Sequence, residues 1–129
     1  MSLKTWKAEF YPTPADSQAA KAAPVAHSLR KWEGLKPKNL AKHDVRVSDR
    51  GVYDNNLRGF RVASDSCALC VKFLRGSDCG VCPLYEVRGN ISCDNERPRE
   101  SIDPFQAWWG YGDPSRMIYW LKRAAKIHP

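Results

Sequence analysis

Apolar residues recur at helical spacing in two well-separated parts of the chain. Val25, Leu29 and Trp32 are four and three residues apart, which places them on one face of a helix. A similar face near the C-terminus comprises Met117, Ile118, Leu121 and Ala125. Both segments are therefore predicted to be amphipathic helices.

Polar capping residues and prolines mark where helices begin. A residue of the segment 64–66 is expected to cap a short helix in "CALCVKFLR". The other predicted starts are Gln18 after Asp16 or Ser17, Pro24, Pro37, Pro104 after Asp103, and Pro114 after Asp113. Gly34 suits the left-handed residue that often ends a helix, here the one that begins near Pro24.

Residues 1–16 are predicted to form an N-terminal arm. Pro12 and Pro14 forbid a regular helix across this stretch, because proline lacks the backbone N–H and clashes with the preceding turn. Trp6 and Phe10 supply large apolar anchors that would tie the arm to the rest of the protein.

Short alternating stretches predict strands in the middle of the chain. "VRVSDRGVY" reads as two strands around the turn "SDRG", and "LRGFRVAS" reads as another strand that Gly59 disturbs. The expected fold class is α+β, with a small antiparallel sheet of two or three strands, several short helices and a zinc knuckle in the cysteine-rich segment 67–93.

The length and composition favour one domain over residues 1–129, since no linker divides the chain. No apolar run approaches the length that crosses a bilayer. The N-terminus lacks the continuous apolar region of a secretory signal. The expected location is the cytoplasm, where thiols stay reduced and cysteine clusters more often bind metal than form disulfides.

The net charge of +7 is concentrated in residues 1–60, which carry +5 of it. The densest basic stretch contains Arg30, Lys31, Lys36, Lys38, Lys42 and Arg46. Such a stretch can attract nucleic acid or an acidic protein surface. The alternative is an ordinary solvated helical face.

Every cysteine of the chain lies between residues 67 and 93. Cys67 and Cys70 form one C-x-x-C pair, Cys79 and Cys82 form a second pair eight residues later, and Cys93 follows after ten more residues. Two such pairs are typical of a zinc site with four thiolate ligands, because one short turn can present both sulfurs to one ion. Zinc is the favoured cofactor, in a structural role.

The fifth cysteine leaves several arrangements open. The two pairs bind zinc and Cys93 is a free thiol, or Cys93 replaces one ligand, most plausibly Cys70. Four of the five cysteines can instead hold an iron–sulfur cluster. Cys67 and Cys70 can also form a redox pair, and a cluster without metal is the remaining alternative.

No motif in the chain points to an enzyme. A phosphate-binding glycine loop, a nucleophile elbow and a paired-carboxylate motif are all absent from the sequence. His27 and His43 flank the basic stretch and can join a metal site or act as bases, but a lone histidine on a helix is more often a packed or surface residue. We expect no catalytic residues and no small-molecule substrate.

The segment "PFQAWWGYGDP" places Trp108, Trp109 and Tyr111 within four residues. Exposed aromatic rings beside basic residues can stack on single-stranded bases. The favoured interpretation is that these rings cover the core, since each aromatic side chain buries a large apolar area.

Three stretches together resemble a group of small bacteriophage and prophage proteins of unknown function. They are "HSLRKWEGLKPKNLAKHDV", "SCALCVKFLRGSDCGVCPLYEVRGNISC" and "PFQAWWGYGDPSRMIYWLKRA". The family patterns are HSLxKWxGL, CALC…CxxCPL…C and GDPxPMI, and the match spans about residues 27–125. This chain departs from them at Arg116, where the family has proline. The resemblance implies a phage origin and a metal-binding knuckle, and it brings no assigned activity.

These features together predict a small non-enzymatic phage accessory protein with a structural zinc site. Its expected partner is a host macromolecule, either nucleic acid or a host protein, and its binding could inhibit a host process. The alternative is a metal- or thiol-dependent enzyme or redox protein that uses the C-x-x-C pairs.

Overall fold

The computed structural model of the protein describes residues 2–63, 66–73, 82–91, 93–94 and 102–127. The helices of these ranges are α1 Leu3–Phe10, α2 Gln18–Ala22, α3 Pro24–Glu33, α4 Pro37–Lys42, α5 Ala68–Phe73, α6 Pro83–Val87, α7 Pro104–Tyr111 and α8 Ser115–Ile127. The strands are β1 Arg46–Ser48, β2 Gly51–Tyr53 and β3 Gly59–Arg61. No helix in the described ranges is both long and apolar enough to cross a membrane.

Helix α3 is the central element and packs against α1, α2, α5 and α8. Its predicted apolar stripe is confirmed, since Val25 and Trp32 are buried and Leu29 packs against the core at its edge. The ring of Trp32 lies edge-on to that of Trp108, with centroids 5.3 Å apart. Ring pairs of this kind add about 0.5–1.5 kcal/mol beyond the area they bury.

The sheet is antiparallel, with strand order β1-β2-β3. Val47, Val52 and Phe60 are paired across the three strands and lie against the core. The ring of Phe60 packs 5.6 Å from that of Trp6. The α+β prediction and the small antiparallel sheet are therefore confirmed.

The turn between β1 and β2 follows the predicted "SDRG" position. Its two central residues, Asp49 and Arg50, have φ values of 48° and 60°. Positive φ at both positions is the conformation of the tight hairpin turn whose twist matches that of the strands. The turn thereby fixes the register of the strands and holds Arg50 at the end of the sheet.

The start of the predicted N-terminal arm is a helix instead. Helix α1 begins with a capping box in which Ser2 Oγ accepts from the Thr5 N–H and Thr5 Oγ1 accepts from the Ser2 N–H. Leu3, Trp6 and Phe10 fall on one helical face and are buried. The prolines at 12 and 14 follow the helix and so do not disturb it, which the prediction overlooked.

Asp54 fastens this helix to the sheet. Its Oδ2 accepts from the Leu3 N–H at 3.2 Å, while its Oδ1 accepts from the N–H groups of Asn56 and Arg58 at 2.9 and 3.1 Å. Burial raises the pKa of Asp54, but the hydrogen bonds from Leu3, Arg58 and Asn56 outweigh burial and hold the pKa below its usual value of 3.8. The charged carboxylate therefore links the start of α1 to the loop that follows β2.

Gly34 ends α3, but it does so in the right-handed conformation, with φ −65° and ψ −18°. The predicted left-handed cap is wrong at this position. A Cβ on Gly34 would lie 2.5 Å from Cγ of Phe10. Glycine is required here because α1 approaches the end of α3 too closely for any side chain, and the Trp6 indole N–H donates to the Gly34 carbonyl across the same contact.

Gly34→Ala should lower the free energy of unfolding by about 1–3 kcal/mol, since the added methyl overpacks the α1–α3 contact. Chemical denaturation measures the change. Gly110→Ala is the matched control. A Cβ on Gly110 would lie 3.9 Å from Gln106 Cγ, which is an ordinary contact, and alanine favours a helix more than glycine does. Equal stability of Gly34→Ala and the wild type would contradict the close packing.

Asp54→Asn should destabilise the protein at pH 7, and the stability of the variant should fall less steeply as the pH is lowered. The amide keeps one acceptor oxygen and loses the one that binds the Leu3 N–H. Because the folded-state pKa of Asp54 is depressed, its contribution is fully present above about pH 4 and is lost as the pH falls through the folded value. Melting curves from pH 7 to pH 2.5 test this, with the exposed Asp16→Asn as control. Parallel pH profiles for wild type and Asp54→Asn would refute it.

Candidate functional site

The first cysteine pair lies where α5 meets the central helix. Cys67 directly precedes α5 and Cys70 lies within it. Lys31 on α3 is buried, and its Nζ donates to the carbonyl oxygen of Ser66 at 3.1 Å. On the same face of α3, the Ser28 hydroxyl lies 3.7 Å from the Cys67 sulfur. Helix α3 therefore presents a cation and a hydroxyl to this pair.

The Cys67 sulfur is poised as a thiolate. Its pKa is held well below the usual value, chiefly by a hydrogen bond from the Cys70 thiol. Burial opposes this shift, while the positive charge of Lys31 and the contact with Ser28 support it. A thiolate is the form in which cysteine binds metal or attacks an electrophile.

The pKa of Cys70 is shifted in the opposite direction, which favours the protonated thiol. The hydrogen bond to Cys67 raises the pKa of Cys70 first of all, and burial raises it further. Repulsion from Cys67, Cys93 and Cys82 adds to the shift. Cys82 and Cys93 are therefore close enough to Cys70 to act on it electrostatically, although both are distant from it in sequence.

The other described cysteines come from two further segments. Cys82 caps the N-terminus of α6, where Pro83 occupies the first helical position. The Cys93 carbonyl accepts from the Phe105 N–H at 3.4 Å, at the start of α7. Both side chains are partly buried and pack against the core. Cys79 lies outside the described residues.

The described residues alone do not form a complete metal site. Among them, no group of three or more histidine, cysteine or acidic side chains is arranged to hold an ion. No disulfide bond joins any two of the described cysteines. The chemistry of the donors fits a soft divalent ion nonetheless, because thiolates are preferred ligands of such an ion and the surroundings of Cys67 favour the thiolate form.

The predicted basic stretch does not form one continuous patch. Lys31 is 1% exposed and faces the cysteines, so this residue is a correction to the predicted surface. Lys38 and Arg46 are exposed. Arg46 lies on strand β1, whereas the other residues of the stretch lie on or beside α3 and α4.

Glu9 and Glu33 hold the other cations of the stretch. The Arg30 Nε–H donates to the Glu9 carbonyl at 2.6 Å, and Lys42 pairs with the Glu9 carboxylate at 3.0 Å. Lys36 pairs with Glu33 at 2.7 Å. The side chains of these ion pairs are at least partly open to solvent, so the pairs contribute little to stability, but they reduce the positive field that the sequence suggested.

His43 acts as a structural link in this arrangement. The imidazole ring of His43 is buried. Its Nε2 lies 2.7 Å from Glu9 Oε1, and its Nδ1 lies 2.9 Å from Thr5 Oγ1. Hydrogen bonds from His43 and then Lys42 lower the pKa of Glu9. Since both ring nitrogens are engaged, His43 joins α1 to the end of α4 and has no nitrogen left for a substrate or a metal.

His27 contacts Thr13 and Tyr11 and forms no hydrogen bond with the described cysteines. Its Nε2 is 2.7 Å from the Thr13 carbonyl, so Nε2 carries the proton and donates. The ring packs edge-on against Tyr11 at 5.0 Å. This geometry ties the segment after α1 to α3, which is the packed role expected of a lone histidine on a helix.

The aromatic segment of α7 divides between core and surface. Trp108 is fully buried, as predicted. Trp109 and Tyr111 are 41% and 76% exposed, so the predicted core role is wrong for these two rings. The guanidinium of Arg50 lies 4.6 Å from the centre of the Trp109 ring, within the range of a cation–π contact.

Comparisons with protein-family models, with curated proteins and with solved structures find no match to this chain.

Sequence reasoning missed the roles of Ser28 and Lys31. The available signal was their helical spacing, because both fall beside Val25 and Trp32 on the face of α3 that turns inward. A lysine in a run of lysines and arginines is usually assigned to the surface. Only the packing of α5 against α3 reveals that one of these cations faces a cysteine.

Lys31→Met should raise the pKa of Cys67, because methionine keeps the apolar stem and removes the positive charge. In metal-free protein, the rate at which Cys67 is alkylated by iodoacetamide should then fall at low pH, and its pH profile should shift upward. Peptide mass spectrometry identifies the modified residue. The exposed Lys38→Met serves as control. An unchanged Cys67 profile in Lys31→Met would contradict the described electrostatics.

Proposed function

We propose that the chain is a small non-enzymatic accessory protein whose cysteines hold a structural zinc ion and whose surface binds a macromolecule. The zinc ligands are Cys67, Cys70, Cys79 and Cys82, with Cys93 as the alternative to Cys70. The observation that carries this proposal is that Cys67, Cys82 and Cys93, which belong to three chain segments, all act electrostatically on Cys70. Four thiolates are the commonest ligand set of a structural zinc site.

A structural role fits the surroundings of these cysteines. Cys67, Cys82 and Cys93 pack against the core, beside helices of only five or six residues. Helices this short are not stable alone and depend on tertiary contacts. A zinc ion held by these thiolates would add its binding energy to folding.

Ion binding requires the proton on Cys70 to leave. Lys31 and Ser28 already favour a thiolate at Cys67, whereas Cys70 retains its proton through its hydrogen bond to Cys67. Zinc affinity should therefore rise with pH, because ligation by Cys70 releases that proton. If Cys93 is the fourth ligand instead, Cys70 remains a thiol and can donate to the Cys67 sulfur.

The proposed partner is a host macromolecule. The net charge of +7 favours an acidic partner, either nucleic acid or an acidic protein face. The resemblance to small phage proteins suggests a partner inside an infected bacterial cell, where binding would alter a host process. The engaged ring nitrogens of His43 favour a binding role over catalysis at that residue.

A redox protein is the second candidate, and the hydrogen bond between Cys67 and Cys70 favours it specifically. In this case the Cys67 thiolate attacks a substrate disulfide and one substrate sulfur leaves as a thiolate. Cys70 then loses its proton and attacks Cys67, which releases the second substrate sulfur. The two cysteines are oxidised to a disulfide and the substrate disulfide is reduced to two thiols.

Elemental analysis combined with native mass spectrometry separates these functions. Purified protein should carry about one equivalent of zinc, and a chelator should destabilise it. Cys82→Ser should lose the zinc. Cys70→Ser and Cys93→Ser tell the ligand sets apart, since only the variant that removes a ligand should lose the ion. Iron together with visible absorbance would indicate a cluster instead.

A metal-free protein that folds equally well with and without Cys82, and that reduces a disulfide substrate through Cys67, would overturn the zinc proposal in favour of the redox protein.

A further inference from the structure

One face of the sheet points away from the core and carries an aromatic ring between arginines. Tyr53 on β2 is paired with Arg46 on β1 and with Gly59 on β3. Two residues earlier on β2, Gly51 is paired with Arg61 on β3. These residues occupy the face opposite to the buried Val52. We call this group, which consists of Arg46, Gly51, Tyr53, Gly59 and Arg61, the outer sheet face.

The Tyr53 ring lies along the strands and does not project from them. A Cβ on Gly59 would be 2.3 Å from Cε1 of Tyr53, and a Cβ on Gly51 would be 3.1 Å from its Cε2. The ring therefore rests directly above two glycines that leave it room. Glycine within a strand weakens the strand, and it often marks a place where another group must approach closely.

Four arginines lie on the strands of the sheet or in the loops that join them, and one of them, Arg58, acts electrostatically on the Asp54 carboxylate. Arg46, Arg50, Arg58 and Arg61 are all exposed. In the part of the chain that the structure describes, none of the four forms an ion pair within 4.0 Å. The Arg46 guanidinium has a long contact of 3.5 Å with Asn55. Their charges are thus available to a ligand, which distinguishes them from Lys36 and Lys42.

A second aromatic site adjoins the end of the sheet. Arg50 in the β1–β2 turn stacks over Trp109, which is 41% exposed, and Tyr111 beyond it is 76% exposed. Arg50 thereby places an exposed ring at the end of a sheet that carries Tyr53, whose side chain is partly exposed. Alternation of rings and arginines is how proteins hold single strands, because every base has a face to stack and every nucleotide carries a phosphate.

We infer that the outer sheet face, together with Arg50 and Trp109, binds single-stranded nucleic acid. Bases stack on Tyr53 and Trp109, and Arg46, Arg58 and Arg61 contact phosphates. A single strand fits better than a duplex, since a ring lying against a sheet can stack only on a base that is unstacked from its neighbours. This inference rests on the proposed binding function. It places the binding surface on the sheet and not on the basic residues of α3 and α4.

The test measures binding of fluorescently labelled 12-nucleotide oligo-dT, oligo-U and a 12-base-pair duplex by anisotropy, from 50 to 300 mM salt. Full-length wild-type protein should bind the single strands more tightly than the duplex. The comparison of oligo-dT with oligo-U shows whether DNA or RNA is preferred. Affinity should fall steeply as salt rises, because phosphate contacts release counterions.

Variants of the aromatic rings test stacking separately from charge. Tyr53→Leu should weaken single-strand binding about tenfold, and Trp109→Leu should do the same. Tyr53→Phe keeps the ring and should bind like the wild type. Thermal melting of each variant controls for the possibility that Tyr53 only covers the two glycines, since Tyr53→Phe and Tyr53→Leu must both remain folded at the assay temperature.

Variants of the arginines test the phosphate contacts. Arg46→Gln and Arg61→Gln should each reduce the slope of log affinity against log salt by about 0.7. The exposed Lys126→Gln on α8 removes the same charge elsewhere and should leave affinity nearly unchanged at 150 mM salt.

Two results would overturn the inference. If wild-type protein binds no single strand at 50 mM salt, the sheet is not a nucleic-acid surface, while the zinc site and a protein partner remain as proposed. If single strands bind but Tyr53→Leu, Arg46→Gln and Arg61→Gln have no effect, the protein binds nucleic acid through another surface. Zinc content, measured separately, reports on the structural part of the proposed function.

Discussion

The buried contact between Lys31 and the Ser66 carbonyl organises both the core and the cysteines. A buried ammonium group is costly unless hydrogen bonds and opposite charge compensate it. Here the Ser66 carbonyl accepts a hydrogen bond from the Lys31 ammonium, and the charge of Lys31 favours the thiolate form of Cys67. The contact sets α5 against α3, and α3 in turn carries the Trp32 ring that meets Trp108. Lys31 therefore contributes both to the packing of α5 against α3 and to the lowered pKa of Cys67, whose largest cause is the hydrogen bond from Cys70.

A second set of contacts fastens the N-terminal part of the chain to this centre. Asp54 binds the first turn of α1, His43 bridges α1 to the end of α4, and Trp6 donates to the end of α3. These links use buried or partly buried polar groups whose hydrogen bonds are satisfied, which favours one arrangement of the elements over others. They also leave the opposite side of the sheet, with Tyr53, facing outward.

Local signals in the sequence predicted the elements well. Ser17, Pro24, Pro37 and Asp103 mark helix starts because capping and proline geometry act within one turn. Contacts between distant segments were not predictable in the same way. Gly34 is glycine because of Phe10, a residue 24 positions earlier. The inward direction of Lys31 likewise depends on α5. The cysteines in the sequence therefore located the candidate site, but the sequence did not reveal the electrostatic surroundings of Cys67.

The central claim is that thiolates from separate turns hold one zinc ion around which short helices pack. X-ray absorption at the zinc edge on purified protein tests it most directly. The account predicts one zinc site with about four sulfur neighbours near 2.3 Å. A first shell of nitrogen and oxygen atoms, or the absence of zinc from well-folded protein, would contradict it.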